Sequence, residues 1–183
     1  MKKLLFLLLI SVLEISFVSA QNAKNTNKEA TKMDVFASKT GVIIKYIDYK
    51  LPNLKLTYGI AETKIRKLYS GQDVGYFYQI SKKNEYGTKT ASIAYEDLIE
   101  VLKAIQSLKE ASESDKALNP YYLENKFVTD DGFQVGYYVS KGKLKWYLVL
   151  EKYGSGNTVF IYNFSTIETA FNEAKTKIES LKN

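Results

Sequence analysis

Strand-like runs closed twice by an amphipathic helix predict an α+β protein, antiparallel and β-rich, built from two similar units of three to five strands and a helix each. Its helices are expected on one face of the sheet or sheets. Three observations carry this. Residues 143–182 hold two strand-like runs and then a helical pattern, residues 73–109 follow the same plan, and the runs are joined by tight turns, which implies antiparallel pairing.

In the later stretch Leu144, Trp146, Leu148 and Leu150 alternate along one face, Gly154-Ser155-Gly156-Asn157 makes a turn, and residues 158–163 form a second strand. Ser165 then opens a helix over about 165–182, with Glu168 at capping-box spacing. Ile167, Ala170, Phe171, Ala174, Ile178 and Leu181 gather on one stripe of it, so that stripe must be buried.

The chain begins with an address. Met1-Lys2-Lys3 is positive, residues 4–13 are a nearly unbroken apolar run, and Val18-Ser19-Ala20 places small residues before a cut between Ala20 and Gln21. Residues 1–20 are therefore expected to be a secretory signal peptide, placing the mature chain in the periplasm or outside the cell. The apolar run is too short for a bilayer core of about 30 Å and is interrupted by Glu14, and no later run approaches ~18 apolar residues. Residues 21–40 begin polar and without period, as a disordered tether would.

The first unit is expected over 41–115. Residues 41–49 form its first firm strand, and Pro52-Asn53 breaks it. Leu54, Leu56, Tyr58 and Ile60 alternate with polar residues as a half-buried strand does, residues 63–69 alternate again, and Ser70-Gly71-Gln72-Asp73 turns the chain. Residues 75–81 and 88–94 are further strands. Leu98, Val101, Leu102, Ile105 and Leu108 recur at helical spacing, with Glu96, Asp97 and Glu100 at the start where acids suit the dipole, so a helix covers about 95–112.

Asn119-Pro120 marks the junction to a second unit over 116–183. There residues 122–129 and the alternating Phe133, Val135, Tyr137 and Val139 form a hairpin around Asp130-Asp131-Gly132. Shifted by about seventy residues, Tyr76 to Ile80 fall on Trp146 to Leu150, and Leu98, Leu102 and Ile105 fall on Ile167, Phe171 and Ala174 with a one-residue adjustment. The match is of pattern, and it suggests an internal repeat.

Composition narrows the chemistry. Histidine and cysteine are both absent, which removes Ser-His-Asp and Cys-His systems, histidine or thiolate metal ligands and disulfides. Neither a metal nor a cofactor is expected. Of 26 basic residues only Arg66 is arginine, and the lysines are interspersed with acids, so a solvated surface is a better reading than a nucleic-acid face. Asp130-Asp131-Gly132 lacks the further ligands of a calcium loop, and Gly154-Ser155-Gly156 lacks the lysine and following helix of a phosphate loop. Asn163-Phe164-Ser165 matches a glycosylation acceptor, though Ser165 already has a role as cap.

Tyrosine is the unusual feature, with fifteen against nine phenylalanines and one tryptophan. In adjacent pairs such as Tyr121-Tyr122 and Tyr137-Tyr138, one ring faces the core and its neighbour the opposite face. A sheet face bearing Phe77, Gln79, Tyr138, Lys145 and Tyr147 is then the candidate ligand-binding surface, suited to a glycan, a peptide or an envelope protein. The expected role is a non-catalytic binding or interaction module. Its alternatives are a carboxylate-based hydrolase acting on glycans, which requires acids such as Asp48, Glu62, Asp73, Glu124 or Glu151 to group in a cleft, and a structural subunit of an envelope assembly.

Overall fold

A computed structural model describes residues 29–183 apart from Tyr86. The expected signal peptide, its cut after Ala20 and the first part of the tether lie outside the described residues. Eleven elements follow in order: α1 (Lys32–Ala37), β1 (Ile44–Lys55), β2 (Ile60–Ser70), β3 (Asp73–Asn84), β4 (Gly87–Ala94), α2 (Tyr95–Ala117), β5 (Leu123–Val128), β6 (Gln134–Ser140), β7 (Lys143–Val149), β8 (Thr158–Ile161) and α3 (Phe164–Lys182). The strands form two separate four-stranded sheets, β1-β2-β3-β4 and β5-β6-β7-β8, antiparallel throughout. Four strands and then a helix occur twice, as the patterning predicts. Among the described residues no helix is long and apolar enough to cross a membrane.

Strand alternation directs Ile65, Tyr78, Ile80 and Ile93 of the first sheet, and Val135, Tyr137, Trp146, Leu148 and Ile161 of the second, to one buried cluster. The stripes of α2 (Leu98, Val101, Ile105, Leu108) and α3 (Ile167, Phe171, Ala174, Ile178) complete it. Phe171 of α3 stands edge-on to Tyr78 at 5.3 Å and beside Phe133, just before β6, at 5.9 Å. One helical side chain therefore joins both sheets in a single core.

Several boundaries differ from the sequence reading, each for a local reason. Pro52-Asn53 does not end a strand; β1 runs through it with a register shift between Leu51 and Leu54. On this edge strand a missing N–H leaves no ladder bond unmade, and Pro52 O instead accepts the Thr63 hydroxyl at 2.8 Å. The first helix runs on to Ala117, past its expected end near 112. Its last turn is held by Asp115, which accepts the Tyr137 hydroxyl at 2.5 Å. The cap of α3 is Asn163 rather than Ser165: its Oδ1 accepts the Thr166 N–H at 3.0 Å, and Ser165 merely donates to that same oxygen. Glu168 does not close a capping box but accepts from Gln106 of α2 at 2.7 Å.

The expected tether contains structure. Thr31 and Asp34 form a reciprocal capping box at the start of α1, with the Thr31 hydroxyl taking the Asp34 N–H and the Asp34 carboxylate taking the Thr31 N–H. A helix of 6 residues is too short to stand alone, and α1 is held by packing. Met33, Phe36 and Ala37 rest on Leu68, Phe77 and Ala94, which lie on the face of the first sheet turned away from α2 and α3. Gly75 makes the room, since a Cβ there would lie 3.2 Å from the Phe36 ring.

Candidate functional site

The outward positions of the second sheet are set by strand pairing. Glu124, Tyr138 and Lys145 form one cross-strand row, and Lys126, Gly136, Tyr147 and Phe160 form the next. These positions alternate with the core residues Val135, Tyr137, Trp146 and Leu148, so the helices leave this face uncovered.

Tyr138 is the centre of an aromatic group. Tyr122 stacks on it at 6.1 Å with the ring planes 24° apart, Phe160 meets it edge-on at 6.2 Å, and Tyr147 lies 6.5 Å away. The Lys145 ammonium sits 6.0 Å from the Tyr138 ring centroid, within reach of a cation–π interaction. Tyr147 is the foundation of the group: it is only 5 % exposed, whereas Tyr122 is 56 % and Phe160 39 % exposed. Its hydroxyl crosses β6 to donate to Glu124 Oε1 at 2.5 Å, and Lys126 Nζ approaches the other Glu124 oxygen at 3.5 Å. Burial first, and then the Glu124 carboxylate, hold the Tyr147 hydroxyl protonated well above the usual tyrosine range.

Gly136 lies between these two partners on β6. A Cβ there would lie 2.5 Å from Asn125 O and 2.7 Å from Lys126 Cβ, so the neighbouring strand backbone excludes any side chain. The bare backbone leaves the line from Tyr147 to Glu124 open. Along the margin, Thr57 of the β1–β2 turn donates its N–H to Phe160 O at 2.8 Å. The next residue, Tyr58, is 83 % exposed, and Tyr162 beyond β8 is 80 % exposed. The face is thus a ring surface fringed by a lysine, a carboxylate and tyrosine hydroxyls.

The five residues singled out from sequence divide between the two sheets. Tyr138, Lys145 and Tyr147 come together on the second. Phe77 and Gln79 lie on β3 of the first, at places equivalent by pattern to those on β7, and serve a different surface. Phe77 is covered by α1, with the Phe36 ring edge-on at 6.1 Å. Gln79 is buried and donates to Ser92 Oγ at 2.8 Å. Sequence reasoning does not place Tyr122, Phe160 or Glu124 on this face: Glu124 enters only as a candidate hydrolase acid, and Tyr122 only as one of a tyrosine pair. The Tyr121-Tyr122 pair was a signal for the first of them, while Phe160 is recognisable only once the register of β8 against β7 is known.

The acids that a hydrolase would require are dispersed. Asp48 pairs with Arg66 and Lys64, Asp73 with Lys39, Glu124 with Lys126 and Glu151 with Lys89, and Glu62 lies exposed on β2. The Arg66 guanidinium holds the Asp48 carboxyl down to about 2. Among the described residues no group of three or more acids is placed to hold a metal ion. No family model, no curated protein and no solved structure matches this chain.

Proposed function

We propose that the protein is an exported, non-catalytic carbohydrate-binding module whose ligand lies across Tyr122, Tyr138 and Phe160. The observation that carries this reading is the ring cluster centred on Tyr138 on a sheet face that no helix covers. A sugar ring has an apolar C–H face and a polar rim. The first matches the electron-rich faces of the aromatic rings, and the second matches hydrogen-bonding groups at their edges. Lys145 donates to ligand hydroxyls, and Glu124 accepts from them with the capacity that Tyr147 leaves free. The one carboxylate in the cluster is already engaged, so hydrolysis by a carboxylate pair has no place on this face. Export rests on residues 1–20.

Electrophoresis through gels containing soluble glucan, mannan or glycol chitin tests the reading. The protein is expected to be retarded in at least one gel, and Tyr138→Ala is expected to weaken that retardation by about tenfold, close to 1.4 kcal/mol. Free migration in every gel, or retardation unchanged in Tyr138→Ala, contradicts it.

A further inference from the structure

A second site lies on the other sheet. A cleft of about 890 Å³ opens over the outer face of the first sheet, with residues 29–36 as one wall and the chain around Asp130 to Phe133 and Leu150 to Tyr153 as another. Its floor is polar and ordered by strand register. Lys64, Gln79 and Ser92 lie side by side on β2, β3 and β4, next to Ser81 and Thr90. The floor groups are tied laterally: Gln79 donates to Ser92 Oγ at 2.8 Å, and the Ser81 and Thr90 hydroxyls share a bond of 2.9 Å. Gln79 itself is buried beneath Met33 of α1, whose Sδ lies 3.5 Å from its Nε2, so the capacity left for a ligand is that of the half-buried Ser81, Thr90 and Ser92 hydroxyls.

The two ends of the cleft carry opposite charge. At the β2 end, Lys64 and Arg66 share a single carboxylate, Asp48, at 2.7 to 2.8 Å. At the other end, two carboxylates share the Lys32 ammonium and a third holds its backbone N–H. Lys32 Nζ lies 2.5 Å from Asp97 and 3.5 Å from Asp130, and the Lys32 backbone N–H is held by both Asp131 oxygens at 3.0 Å. Among the other charges lining the cleft, Glu151 pairs with Lys89, Glu29 with Lys152 and Lys39 with Asp73, while the Asp34 carboxylate is taken up by the Thr31 cap. A cation is therefore in excess at one end and carboxylates at the other.

We propose that this cleft binds a short peptide with free termini, its carboxylate at Lys64 and Arg66, its ammonium at Asp130 and Asp131, and its amides over Ser81, Thr90 and Ser92. Length supports this. From β2 to β4 is two strand spacings, about 10 Å, and Asp131 lies beyond, so three or four residues at about 3.3 to 3.6 Å each bridge the ends. The volume lies within the usual range of small-ligand sites, roughly 300 to 1,000 Å³. Charge-assisted bonds at both ends would reject peptides lacking either terminus.

Native mass spectrometry of the protein with a pooled library of tri- and tetrapeptides tests this, run once with free termini and once with every peptide acetylated and amidated. Adducts are expected from the free pool and about tenfold fewer from the blocked pool. Asp131→Asn and Lys64→Gln are each expected to reduce the adducts by about tenfold. Because Asp131 also anchors α1, Lys64→Gln, whose partner is Asp48, is the deciding variant. Tyr138→Ala is expected to leave these adducts unchanged, which separates this site from the aromatic face. Absence of adducts from the free pool, equal adducts from both pools, or adducts indifferent to Lys64→Gln would overturn the proposal.

Discussion

Asp48 shows how a single side chain writes a pH dependence into the fold. Its carboxyl sits at about 2 in the folded chain against an ordinary value of 3.8, chiefly because Arg66 donates to it, with Lys64 assisting. The folded state therefore binds the Asp48 proton less readily than the unfolded state does. This contribution is complete above the unfolded value and is lost as pH falls through about 2. Asp48→Asn is expected to flatten the loss of stability across that interval in urea melts, at a cost near neutrality below about 1 kcal/mol because the pair is partly exposed to water. Capping gives a second test at this scale. Asn163→Ala removes the acceptor for Thr166 N–H and is expected to cost about 1 kcal/mol, while Ser165→Ala, which removes only a donor to Asn163, costs a few tenths. Equal losses in the two variants would restore Ser165 as the cap.

Elements follow their local signals wherever one face of the element is buried. The stripes of α2 and α3 and the alternation of β6 and β7 were legible because each meets the core over its full length. The misses occur where a distant partner decides. Nothing near Lys32–Ala37 indicates a helix strong enough to stand alone; Leu68, Phe77 and Ala94 supply the surface and Asp131 the anchor. Pro52 reads as a break until the edge position of β1 is known. The candidate face was half legible for the same reason: alternation assigns Tyr138, Lys145 and Tyr147 to an outer face, but it cannot tell which outer face Phe77 and Gln79 share. Phe36→Ala tests the account of α1. It removes the ring over Phe77 and is expected to lower stability by about 1 to 2 kcal/mol in urea melts and to speed proteolysis in the connection before β1. Stability and cleavage both unchanged would mean that α1 is not held there.

At the scale of the molecule, two sheets that share no strand pairing are joined through one core. Phe171 touches aromatic rings from both, so Phe171→Ala is expected to cost about 3 to 5 kcal/mol and to shift a single unfolding transition, followed by calorimetry, rather than split it into two. That rigidity is what leaves an outer sheet face free to hold its rings in fixed register. The most direct test of the functional account is a nuclear magnetic resonance titration of the protein, labelled in its tyrosine and phenylalanine rings, with hexasaccharides of glucose, mannose and N-acetylglucosamine. Ring signals of Tyr122, Tyr138 and Phe160 are expected to shift together with at least one sugar, while those of the core residues Tyr78 and Tyr137 stay in place. Shifts confined to rings elsewhere, or none with any sugar, would contradict it.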